Sequence, residues 1–139
     1  MSDAKTVVQR IFDEVVNQGR YDVLPELFAE DFVDHGPMGD MKGRDVFTQM
    51  VEQWRGAVPD VHCTVENLFV DGENVAWLVR TTGTHTGDGL GFPATGKPFE
   101  TLSANMGLFR DGRAAEHWSE QGMFPMLAQL GVIPVPAQA

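Results

Sequence analysis

The chain has 139 residues, 42% of them apolar and 22% charged, with a formal net charge of −10. That length suits one domain burying roughly two thirds of its unfolded surface. The acidic balance excludes a protein that neutralises nucleic-acid phosphates, and no apolar run approaches the ~20 residues of a membrane span. A single cysteine, Cys63, excludes an intrachain disulfide and any multi-cysteine metal cluster. It fits a reducing, cytoplasmic setting, and the N-terminus reads as a capped helix rather than a secretory leader.

From Asp3 to Asn17 the apolar residues fall in doublets, Val7-Val8, Ile11-Phe12 and Val15-Val16, which predicts a helix with one buried stripe. Gly19 is the expected stop. A short second helix follows Asp22, with Leu24, Leu27 and Phe28 on its apolar side and Pro25 tolerated in the first turn. A third follows Gly43, with Phe47, Met50, Val51 and Trp54 on one face, and ends at Pro59.

The period then drops to two. Val61, Cys63 and Val65 alternate with polar residues, and a second strand runs from Asn74 to Thr84 after a turn at Asp71-Gly72. A Gly- and Pro-rich loop, Gly87 to Pro98, precedes a third strand to Arg110. Asp111-Gly112 turns the chain into a last strand that reaches Gln121. The segment Met123 to Leu130 closes the domain, expected over residues 1–133, and residues 134–139 form a tail. Helices followed by hairpins predict an α+β fold: three N-terminal helices packed on a curved antiparallel sheet.

Several strings resemble the SnoaL-like polyketide cyclase and ester cyclase family of the nuclear transport factor two-like superfamily. They are Phe32-Val33-Asp34-His35, Gly83-Thr84-His85-Thr86-Gly87, Pro93-Ala94-Thr95-Gly96-Lys97, Asp111-Gly112-Arg113 leading to Glu116-His117-Trp118, and Gln129-Leu130-Gly131. The resemblance spans about Val7 to Pro134. It implies a cone-shaped barrel with a helix-lined cavity, frequent dimerisation and no obligatory cofactor. Function varies on this fold, so the chemistry must come from the site.

The resemblance also implies that the Trp118 face of the last strand, with Glu116 and Glu120, looks into the cone. Glu120 is then the expected acid/base, its proton affinity set by Trp118 and Arg80. The alternative is a solvated strand-edge glutamate. Family cyclases carry an aspartate on this strand, which is matched here by Ser119 or Gly122, with Glu120 the nearest acid. Arg80 is expected either to meet Glu120 or Glu116 across the sheet or to form a structural ion pair. Thr82 stands where the epoxide-hydrolase branch has an acid, which counts against water activation by such a dyad.

The spacing of His35, His62, His85 and His117 matches no metal motif, so none is assigned to a metal. His35 is the candidate to orient a substrate oxygen at the cone mouth, with His85 also a candidate at its strand end. His117, on the opposite face from Trp118, is expected at a dimer contact. Asn105 can hold a carbonyl oxygen, and Trp54 and Met50 belong to the core or the pocket wall. The expected function is an aldol-type cyclase or isomerase acting on an apolar, carbonyl-bearing small molecule without cofactor. A non-catalytic binding or dimerisation module and an epoxide-hydrolase-like hydrolase are the alternatives. A homodimer held by the outer sheet face, with Trp77 or His117 available for pairing, is the expected assembly.

Overall fold

The Asp3 side chain accepts a hydrogen bond from the Thr6 amide at 2.7 Å and opens α1 (Ala4–Arg10), which passes without a break into a π-helical segment, Ile11–Val16. The wide turns have a reason in the sequence. Apolar doublets every four residues overshoot the 3.6-residue α-helical turn, and the wider winding keeps Ile11, Val15 and Val16 on the buried side with Val7 and Val8. Gly19, at φ +70°, ends the segment. The computed structural model describes residues 3–135, so most of the tail read from the sequence lies outside the described residues.

A single 3₁₀ turn (Tyr21–Val23) leads into α2 (Leu24–Leu27), and the chain then enters the sheet at once. Strands β1 (Phe28–Gly36) and β2 (Gly39–Lys42) form a hairpin before α3 (Asp45–Ala57). Strands β3 (His62–Asp71), β4 (Asn74–Thr84), β5 (Pro98–Arg110) and β6 (Arg113–Glu120) follow as a meander, and α4 (Met123–Gln129) closes the chain. The helical segments are therefore not segregated ahead of the sheet. The strand order is β2-β1-β6-β5-β4-β3.

Two expectations are corrected. The sheet is mixed, because β6 returns beside β1 in the same direction and pairs with it in parallel. It is also open, with β2 and β3 as its edges.

Two irregularities set which side chains face the helices. On β3, Asn67 at φ +48° marks a bulge. On β6, Phe109 pairs with Ala114 but Leu108 pairs with Glu116, so Ala115 is an extra residue in that strand. The Asp111–Gly112 turn has φ +51° and +73°, both positive as a two-residue hairpin loop of this twist requires. The concave face of the sheet and the helices enclose one core, including Val8, Leu27, Phe32, Val58 and Met126.

A candidate active site on the concave face of the sheet

A cavity of about 110 Å³ lies between α3 and the concave face of the sheet. Its helix side is apolar, with Phe47, Met50, Val51 and Trp54, while its sheet side presents Thr101, Ser103, Asn105, His117, Ser119 and Gln121. A second chamber of about 210 Å³ adjoins it between the β1–β2 hairpin and α3. Met50, Trp54 and Gln121 line both, so the second chamber is the mouth of the first. An apolar wall facing a row of neutral hydroxyls and amides is the usual make-up of a small-molecule site.

The ionisable groups of the site come from β1 and β6. Their parallel register sets Asp34 beside His117, and both side chains point to the concave face. Asp34 is 4% exposed. Its Oδ1 lies 3.3 Å from His117 Nδ1, and His117 Nε2 lies 2.9 Å from Asn105 Oδ1. The Asn105 amide nitrogen donates to Ser103 Oγ at 3.2 Å and to the Ser103 carbonyl at 3.4 Å, which turns Oδ1 toward the histidine. His117 Nε2 therefore donates to Asn105. His117 Nδ1 is left to face Asp34 Oδ1. No other described hydrogen bond reaches the Asp34 carboxylate, and Asp34 lines the mouth.

Of the residues singled out from the sequence, Asn105, Trp54 and Met50 line the cavity. The facing expected for β6 is corrected. Glu116, Trp118 and Glu120 lie on the convex side, with Trp118 39% exposed and Glu120 exposed. The extra residue at Ala115 causes this, since it reverses the alternation downstream. Ser119 is on the cavity wall and Gly122 is not, so neither candidate position brings a carboxylate to the cavity from this strand.

Arg80 is on the convex side as well. Its Nε donates to Glu66 at 2.8 Å and its Nη1 lies 3.5 Å from Glu100, so it does not reach Glu120 or Glu116. The bond to Arg80 holds the Glu66 carboxyl below its ordinary range. His85 is fully buried but outside the cavity lining. Its Nδ1 accepts the Thr95 amide hydrogen at 3.2 Å, and it packs against Phe92 at the base of the Gly87–Pro98 loop.

His35 stacks on Trp118 at 4.6 Å and 14°, and its ring nitrogens lie 2.8 Å from Glu116 and 2.8 Å from Asp40. Those carboxylates, Glu116 foremost, raise its pKa above the ordinary 6.5. A raised folded-state value stabilises the fold fully below about 6.5, and that contribution is lost as pH climbs through the folded value. The thermal midpoint is therefore expected to fall as pH rises above about 6.5, and to fall less in His35→Gln. Solvent screens the cluster, so the difference is small. Parallel pH curves for the two proteins would remove this account.

Asp34 and His117 form the ionisable pair beside the cavity that the sequence reading did not place there. The signal was present on β1: Phe32 is an obvious core residue, and alternation from it turns Asp34 inward and His35 outward. Cys63 also lines the cavity, its thiol pushed up by burial. Among the described residues no group of three or more His, Cys, Asp or Glu side chains is placed to hold a metal ion. No helix is long and apolar enough to cross a membrane.

This α+β fold, with a cavity between α3 and an open mixed sheet, is that of the SnoaL-like proteins. The model of the SnoaL-like polyketide cyclases matches residues 6–130, and the chain belongs to that family. No curated protein matches it. Among solved structures it resembles IdmH of Streptomyces antibioticus, a proposed polyketide cyclase, at 32% identity over 94% of this chain and 99% of that one, with a TM-score of 0.82. A proposed polyketide cyclase of Acidithiobacillus ferrooxidans is similar at 26% identity, 94% and 96% coverage and a TM-score of 0.82. AclR of Streptomyces galilaeus, a proposed hydroxylase, shares the fold at 23% identity, 97% and 85% coverage and a TM-score of 0.82.

Proposed function

We propose that the chain is an acid/base enzyme acting at the carbon beside a carbonyl of a neutral, largely apolar small molecule, as in an aldol-type cyclisation or isomerisation. The Asp34–His117–Asn105 row at the junction of cavity and mouth carries this reading. Asp34 takes the α-proton, with Oδ1 held by His117. His117 is in turn held by Asn105, so the carboxylate does not have to reorganise as charge develops. The developing enolate oxygen needs donors, and Ser119 and Gln121 on the same wall offer a hydroxyl and an amide within the cavity. Returning the proton from Asp34 after the bond change restores the starting state, so no cofactor is consumed.

The inner chamber is smaller than the roughly 150 Å³ apolar cavity that encloses a benzene ring. A ligand of two or more rings therefore extends into the mouth. The test uses 1-tetralone, a neutral bicyclic ketone, in D₂O. The protein is expected to speed deuterium entry at the carbon beside the carbonyl in a saturable way. Exchange no faster than in buffer would remove the reading.

The assembly proposed is a homodimer through the convex face. Met106 and Trp118 pair across this face and are exposed, and Leu102 is exposed further along β5, an apolar surface of the kind that marks an interface. Trp77 and His117, expected from the sequence to serve that contact, face the core instead. Light scattering at micromolar concentration should give twice the chain mass of 15.3 kDa. A single chain mass would remove the dimer, and Trp118→Glu should produce it.

A further inference from the structure

We propose that Trp77 is a positioning residue for the Asp34–His117 pair, seated by Gly107 so that its indole face holds the His117 ring in line with Asp34 and Asn105. The inference rests on the acid/base reading above.

The edges of the His117 ring are held by Asp34 and Asn105, which leaves rotation about the ring's long axis to be limited by its faces. One face meets Trp77, with centroids 5.8 Å apart and planes 25° from parallel. The indole is itself fixed by Phe12 and Phe109, which meet it edge-on at 6.4 Å and 6.3 Å. This contact spans a strand. Trp77 of β4 pairs with Asn105 of β5, while His117 of β6 pairs with Gly107. The indole therefore reaches His117 by passing diagonally over Gly107.

A side chain at position 107 would block that path. A Cβ there would lie 2.7 Å from Phe109 Cε1 and 3.3 Å from Cη2 and Cζ3 of Trp77. Gly107 does not have a positive φ, so its backbone conformation is open to any residue. What the glycine supplies is room first for the Phe109 ring and then for the indole that it fixes.

Trp77 is buried and does not line the cavity, so it has no contact to offer a ligand. Its effect on the reaction passes through His117. The indole face keeps the ring edge turned toward Asp34 Oδ1, the carboxylate that takes the proton. Asp34 is the charged group that faces His117 from β1. Phe12 from the π-helical segment, Trp77 from β4 and Asn105 from β5 face it as neutral groups. Glu116 and Trp118 beside it in β6 point to the convex side.

Three variants test the proposal in the 1-tetralone exchange assay, with NMR of the His117 ring protons as a second readout. Trp77→Leu removes the π-face, Trp77→Phe keeps one, and Gly107→Ala keeps the indole but crowds both it and the Phe109 ring that fixes it. For Trp77→Leu and Gly107→Ala, kcat should fall about tenfold or more, the scale of a small misplacement. KM should stay within about twofold, since neither residue touches the ligand. The His117 ring signals, shielded by the indole in the wild type, should move downfield, and Trp77→Phe should recover most of the rate. KM rising in step with kcat loss, or ring signals that move without a change in kcat, would overturn the proposal. If Trp77→Leu does not fold, Gly107→Ala decides alone. Unshielded His117 signals in the wild type would sink this inference while leaving the acid/base reading intact. An unchanged rate in Asp34→Asn would sink that reading, whatever the ring signals show.

Discussion

Asp34→Asn is expected to reduce α-proton exchange on 1-tetralone by ~100-fold or more, the usual scale for loss of a positioned general base. Asparagine has the same shape and still meets His117 Nδ1, so packing around the β1–β6 pair survives. What disappears is the lone pair that takes the proton. KM should change by less than about threefold, because the apolar wall of Met50, Val51 and Trp54 is untouched. Glu120→Gln is the matched control. It removes a carboxylate from the convex side, where exposed substitutions rarely exceed about 0.5 kcal/mol in stability, and its exchange rate should match the wild type. Full activity in Asp34→Asn, or an equal loss in Glu120→Gln, would place the chemistry elsewhere.

The largest stability loss is expected at Gly87→Ala. A Cβ at this position would lie 2.0 Å from the Gly56 carbonyl oxygen and 3.1 Å from its carbon. Both are backbone atoms, so nothing can swing aside. The Gly87 amide also donates to the Ala57 carbonyl at 2.9 Å, satisfying a group left open at the end of α3. Making room separates the loop from the helix. Overpacking of this kind costs roughly 1–3 kcal/mol and the lost bond about 1 kcal/mol, so the total is about 2–4 kcal/mol. For a domain of this size that is a fall of ~10 °C in thermal midpoint. A melting curve within 2 °C of wild type would show that the loop yields freely.

The helical stripes and hairpin turns were legible because each rests on a local rule. Apolar doublets mark the first helix, Pro59 ends the third, and Asp111-Gly112 supplies two positive φ angles. The parallel pairing of β1 with β6 was not legible, because it joins segments some eighty residues apart and neither carries a mark of the other. The site was legible in part. Asn105, Trp54 and Met50 lie on inward positions of regular elements, where periodicity is a sound guide. Glu120, Glu116 and Trp118 were read on the wrong side because β6 gives no help of its own. Its alternate residues Glu-Trp-Glu and His-Ser-Gln are similarly polar, so hydropathy does not choose a face. Regular counting from the Asp111–Gly112 turn places Glu116, Trp118 and Glu120 inward. The pairing of Leu108 with Glu116 shows the one-residue step that undoes it.

That extra alanine makes the chemistry of the cavity a matter of counting. The turn at Asp111–Gly112 fixes where β6 begins, and the bulge then decides which of two interleaved residue sets the ligand meets. One set is His117, Ser119 and Gln121, which is neutral apart from a histidine. The other is Glu116, Trp118 and Glu120, with two carboxylates flanking an indole. Were Ala115 paired opposite Leu108 instead of bulged out, the second set would face the same chamber and the first would face solvent. Two chains with the same strand sequence can thus hold opposite cavity walls, according to whether one residue is bulged out or paired, and deleting the bulged residue would leave the inward set as it is.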